Sequence, residues 1–98
     1  MSTQLVIELK DKKGARSIHS AIEAYKTRLQ VNIRRTQRRL AEFEQQYGVS
    51  TAYFLQTITA EDLTGGDMDY ITWAGEARLL DGLENELAEL EDVHYQLP

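Results

Sequence analysis

The chain has 98 residues, 42% of them apolar, with a net charge of −5 and no cysteine. This is sequence enough for one domain with a modest core, and because chains this short bury proportionally little surface, an oligomer is expected. Without cysteine, disulfide and thiolate-metal chemistry are excluded, and no leader-like or roughly 20-residue apolar segment is visible, so the expectation is a soluble cytoplasmic protein with no membrane contact.

Charge is unevenly divided. Residues 1 to 50 hold ten Lys/Arg and five Asp/Glu, whereas residues 51 to 98 hold one and eleven, so the halves carry +5 and −10. Such halves can pack against each other within one chain, or each can meet a different partner.

In chain order, Thr3 to Leu9 places Leu5, Ile7 and Leu9 at the period of two expected of a half-buried strand. A lone strand needs a mate, from another copy or from a partner's open sheet edge, unless the segment is the start of a helix. Asp11-Lys12-Lys13-Gly14 reads as the turn after it. From about Arg16 the period changes: Ile18, Ile22, Tyr25, Leu29, Ile33, Thr36, Leu40, Phe43 and Tyr47 step by three and four. They define a helix over about 16–47 with a narrow, coiled-coil-like seam, closed by Gly48, which accepts the left-handed backbone that ends helices.

Ser50 is placed to cap a short helix over about 51–57, and Thr59 offers a second cap before Ala60-Glu61-Asp62-Leu63. Thr64-Gly65-Gly66-Asp67 is the clearest break in the chain. A helix over about 68–94 follows, with Asp67 and Asp69 at its positive end and a seam of Tyr70, Trp73, Ala77, Leu80, Leu83, Leu87 and Leu90. Ile71, Gly75, Gly82 and Val93 fall on its other side. There each glycine costs about 1 kcal/mol relative to alanine, so the pair marks either a second contact surface or a tolerated weakness.

No constellation carries catalysis. His19 and His94 are the only histidines, no carboxylate-histidine spacing suits a metal, and Thr64-Gly65-Gly66 has neither a clear preceding strand nor a following lysine to serve a phosphate. No enzyme, cofactor or metal is expected. Glu84, Glu86, Glu89, Glu91 and Asp92 read as a solvated acidic helix end.

Arg34, Arg35, Arg38 and Arg39 crowd into six positions. Measured round the helix from the seam, they spread over the outward half, where they are expected to meet solvent and the carboxylates of the last helix. Nucleic-acid contact through these four is the less favoured reading. Between Ile18 and Tyr47 there is no break of the kind a helix-turn-helix or ribbon-helix-helix reader needs, although a strand followed by a helix leaves a dimeric DNA-binding regulator open.

The block Phe43-Glu44-Gln45-Gln46-Tyr47-Gly48-Val49-Ser50, then Tyr53-Phe54 and, after an acidic gap, Asp69-Tyr70-Ile71-Thr72-Trp73, resembles small helical antitoxins of bacterial type II toxin-antitoxin pairs. In these a helix ending in Tyr-Gly precedes a short aromatic helix and an acidic helix bearing tryptophan. The resemblance spans about residues 38–90; the first 35 residues fall outside the pattern. It implies a protein that binds a cognate toxin, often a ribonuclease and commonly basic, and masks its active surface. The expected architecture is mostly α, a long antiparallel hairpin with a short connecting helix, a short N-terminal strand as an option, and self-association. Candidate partner-binding residues are Tyr70, Trp73, Leu80 and Leu87 with Glu84 and Glu91, although a tryptophan on a seam belongs first to a core. The alternative from another class is a self-associating helical scaffold without a toxin.

Overall fold

The structure is a computed structural model and describes residues 3–6, 12–59, 62 and 67–96, with side chains for 12–59, 62 and 67–92. Helix α1 (Lys12–Tyr47) runs almost the full length of the molecule. Its 36 residues span about 54 Å at 1.5 Å each, close to the 57 Å long axis of a rod only 23 by 20 Å across. Helix α2 (Thr51–Thr57) crosses one end, and α3 (Met68–Glu91) returns along α1. The contacts fix the sense of return: Tyr47 meets Asp69, Arg39 meets Glu76 and Tyr25 meets Glu86, so the helices are antiparallel.

The periodicity accounts for the packing. Leu29, Thr36 and Leu40 are buried, and Ile18, Ile22, Tyr25, Ile33, Phe43 and Tyr47 are half-buried, all on one stripe. On α3 the stripe of Tyr70, Trp73, Ala77, Leu80, Leu83, Leu87 and Leu90 turns inward to meet it. Thr36 is the polar member of the seam, and its hydroxyl donates to the Asn32 carbonyl at 2.8 Å, so its burial leaves no unsatisfied group.

Local chemistry sets the helix ends. Gly48 adopts φ +70° and its N–H donates to the Glu44 carbonyl at 2.9 Å, closing α1. Ser50 Oγ accepts the Tyr53 N–H at 3.1 Å and starts α2. Asp67 Oδ1 accepts the Asp69 N–H at 3.0 Å and starts α3. Thr59 and Asp62 bond reciprocally, each backbone N–H donating to the other's side chain, in the manner of a capping box.

Two boundaries differ from the sequence reading. Helix α1 begins at Lys12, taking in Lys12-Lys13-Gly14 that had the character of a turn, because Ala15 is buried and carries the seam down another turn. Helix α3 stops at Glu91 instead of 94, and Val93–Gln96 forms strand β2. Strand β1 (Thr3–Val6) pairs with it in parallel, Thr3 opposite Val93 and Val6 opposite Gln96. The mate of the N-terminal strand is thus the chain's own C-terminal segment, which the antiparallel return brings to the same end of the rod. Residues 7–9 of the expected strand, and the Thr64-Gly65-Gly66 break, lie outside the described residues.

The densest part of the core is at the other end, where three helices meet. Trp73 is 1% exposed. Its ring stacks on Phe54 with centroids 4.0 Å apart and planes 2° apart, and lies 5.5 Å from both Phe43 and Tyr47. The indole N–H donates to Thr51 Oγ1 at 3.0 Å, and the Thr51 backbone N–H donates to Glu44 Oε2 at 2.7 Å. One threonine therefore links α1, α2 and α3, so the tryptophan is buried without stranding its polar atom.

Replacing Trp73 by alanine is expected to cost about 3–5 kcal/mol, against a total stability of about 5–15 kcal/mol for a domain. Trp73→Phe should cost less, keeping the stack and losing the bond to Thr51. The midpoint of urea unfolding measures both, and a loss below about 1 kcal/mol for alanine would contradict the placement of the indole.

Candidate functional site

The interior of this hairpin is taken up by packing, so any functional site lies on its surface. Of the sequence-derived partner-binding residues, Trp73 is enclosed by the aromatic cluster and cannot reach a partner while the helices stay packed. Tyr70 is half-buried, edge-on to Phe54 at 5.4 Å and to Tyr47 at 5.8 Å. Leu80 packs against the core, and Leu87 lies half-buried further along the same seam. Only Glu84 and Glu91 of that set are exposed, and neither forms an ion pair among the described residues.

The outward face of α3 is different. Met68 is 68% exposed and Leu79 is 50% exposed, with Ile71 also exposed between them. Gly75 and Gly82 lie on this same side, and a Cβ added to either would meet nothing within 4 Å. Leu79 was missed by the sequence reading, which gave the seam to Leu80. The signal was there: successive helical residues point about 100° apart, so two adjacent leucines cannot share one narrow stripe.

The four arginines divide between two surfaces. Arg34 and Arg38 flank a shallow depression with Val31, Gln37 and Ala41 on the outer side of α1. Arg35 and Arg39 line a cleft of about 250 Å3 at the α1/α3 boundary with Thr36, Glu76, Leu79 and Leu83. Arg39 lies 3.6 Å from Glu76, while Arg34, Arg35 and Arg38 have no ion-pair partner among the described residues. Of the expected solvent and carboxylate contacts of this run, all four arginines are exposed to solvent, and among the described residues Arg39 is the one that pairs with a carboxylate of the last helix. The antiparallel register explains it: the acidic end of α3 lies beside the first half of α1, where Glu86 accepts the Tyr25 hydroxyl.

A second cleft, about 400 Å3, opens on the opposite flank of the seam between α1, α2 and α3. Leu40, Ala77 and Leu80 line it, with Leu55 beside them and Glu44, Asp81 and Gln37 among its polar residues. No Lys or Arg is among its lining residues.

The perturbed acids serve structure. Tyr47 donates to Asp69 Oδ2 at 2.5 Å; that bond, then desolvation, then the negative charge of Asp69 and Asp67 push its phenol up to about 12. Tyr25 is raised by its bond to Glu86, by desolvation and by that carboxylate's charge, against an opposing pull from Arg28. Asp62 is lowered by the backbone and hydroxyl donors of Thr59. These bonds tie α1 to α3 or cap a turn. Among the described residues no three His, Asp or Glu side chains converge as metal ligands, and no helix is long and apolar enough to cross a membrane.

No protein-family model, curated protein or solved structure matches the chain.

The Tyr47–Asp69 bond carries a pH prediction. A phenol held neutral in the folded state, with its pKa raised from 10.0 to about 12, contributes stability that is intact below about pH 10 and is lost as pH rises through about 12. Titration followed at 295 nm should show late-ionising tyrosine, and Asp69→Asn should move that phenol down towards its ordinary value. Unchanged titration in Asp69→Asn would rule out the carboxylate as the cause.

Proposed function

We propose that the chain is an antitoxin-like protein-binding module that neutralises a cognate, cationic toxin, such as a ribonuclease, by covering its active surface. The observation that carries this is the outward face of α3, where exposed Met68, Ile71 and Leu79 share a helix with the carboxylates of Glu84, Glu89 and Glu91, which form no ion pair among the described residues. Exposed apolar side chains on a helix whose last turns carry unspent negative charge suit a basic protein surface, the charge steering encounter and the apolar groups supplying affinity; Leu79 itself borders the cleft of Arg35 and Arg39. The aromatic block that resembles antitoxins supports the reading in another way, since Phe43, Tyr47, Phe54, Tyr70 and Trp73 build one cluster that would hold such a face rigid. The binding surface is then Met68, Ile71 and Leu79 with Glu89 further along the same side of the helix, and Tyr70, Trp73 and Leu80 beneath it.

A second reading, a self-associating helical scaffold, draws on one observation. Gly75 and Gly82 leave open space beside Leu79, which would let another helix approach closely.

Coexpression with the product of the adjacent gene tests the first reading. That product should arrest growth alone, copurify with this chain in a fixed ratio, and lose about tenfold in affinity with Leu79→Asp, a change at an exposed position that leaves the core intact. A neighbour that is harmless alone and does not bind would end the antitoxin reading. Gly75→Ala and Gly82→Ala separate the second: in the isolated chain each should add about 1 kcal/mol of stability through helix propensity. A stable oligomer that these alanines dissociate would favour the scaffold.

A further inference from the structure

The two clefts flanking the seam differ in sign, Arg35 and Arg39 on one side and Glu44 and Asp81 on the other. The acidic one has the features of a receptor for a single side chain. Its lining joins buried Leu40 and half-buried Ala77 and Leu80 to Leu55, which is 46% exposed. It is as shallow as the depression beside Arg34 and Arg38, so it suits the end of one side chain and not a whole enclosed ligand. One of its two charges is fixed in place. Glu44 is held by the Thr51 backbone N–H at 2.7 Å, and Asp81 is exposed with no ion pair among the described residues. All three helices contribute, and the Glu44–Thr51–Trp73 chain of hydrogen bonds sets their spacing, so the cleft is preformed.

We propose that this cleft receives one large apolar side chain from a segment of the protein partner in which Lys or Arg residues flank that side chain. The inference rests on the protein-binding reading and names the partner's chemistry. Charge complementarity selects the occupant: Glu44 and Asp81 attract cations beside the apolar anchor, whereas an acidic segment would be repelled here.

The probe is a Lys-Lys-Leu-Lys-Lys peptide titrated into the isotope-labelled full chain, with amide shifts followed by NMR. Two control peptides replace leucine by glycine or every lysine by glutamate. The expected result is saturable shifts centred on Gln37, Thr51, Ala52, Leu55 and Asp81, at least tenfold weaker binding of either control, and at least tenfold weaker binding to Ala52→Trp, which fills the cleft from an exposed position. Asp81→Lys, also exposed, should act likewise, so the conclusion does not depend on one variant folding. Absence of binding, equal binding of the glycine control, or shifts confined to Glu84, Glu89 and Glu91 would overturn the proposal. Shifts of the same cleft amides on dilution of the chain alone would assign the cleft to a second copy and also overturn it. The two readings fail separately: a toxin that binds the Ala52→Trp chain undiminished removes the cleft from the interface and leaves the antitoxin standing, whereas a neighbour that never binds removes the antitoxin while the peptide still decides the cleft.

Discussion

The burial of Trp73 is the constraint on which the rest of the molecule depends. An antiparallel pair of helices meeting along narrow stripes has little to fix its register, because leucine seams tolerate sliding by a turn. A stacked indole between Phe43, Phe54 and Tyr47 does not. It demands flat partners at set heights on α1 and α2, and its single N–H demands an acceptor, which Thr51 supplies. Gly48 lets the chain reverse so that Thr51 can arrive there, and Ser50 caps the helix that carries it. The register then follows down the rod, bringing Tyr47 to Asp69, Arg39 to Glu76 and Tyr25 to Glu86.

That register has an electrostatic consequence. The +5 and −10 halves are opposite in sign, yet the helices meet with the arginine run beside the middle of α3 and the carboxylates of its last turns beside the first half of α1. Among the described residues, ion pairing between the helices is therefore sparse. Exposed ion pairs contribute about 0–1 kcal/mol each, so packing overrides charge matching, and the aromatic cluster sets an alignment that Coulomb attraction alone would not choose. Charge left unmatched by folding remains available for binding.

Sequence periodicity made the hairpin legible because each helix buries one stripe at steps of three and four, and the caps at Ser50 and Asp67 and the stop at Gly48 are chemistry a single residue announces. The ends were less legible. Lys12-Lys13-Gly14 has the composition of a turn, and burial of Ala15 and the Ser17 hydroxyl bond to the Lys13 carbonyl accompany its helical form; Val93 continues a helical step in sequence and belongs to a strand because a parallel mate lies beside it. The surface was harder still. Tyr70, Trp73 and Leu80 are the large apolar residues a partner would want, but composition cannot tell an anchor from a core residue when both call for the same side chains. The exposed Leu79, hidden beside Leu80, is the case where strict helical geometry would have decided.

The resemblance to antitoxins and the candidate binding surface consequently occupy different layers of the same segment. The aromatic residues that carry the resemblance lie in or against the cluster around Trp73, apart from Tyr53, which is 55% exposed. Residues available to a partner sit one step round the helix from them: Ile71 beside Tyr70, Leu79 beside Leu80, Asp81 beside Leu80 on the other flank. A core motif of this sort preserves the position of its outer neighbours without dictating their identity. Two chains could share the Trp73 cluster and present different outward residues, so specificity for a particular partner would reside in outward positions such as Ile71, Leu79 and Asp81 and not in the aromatic core.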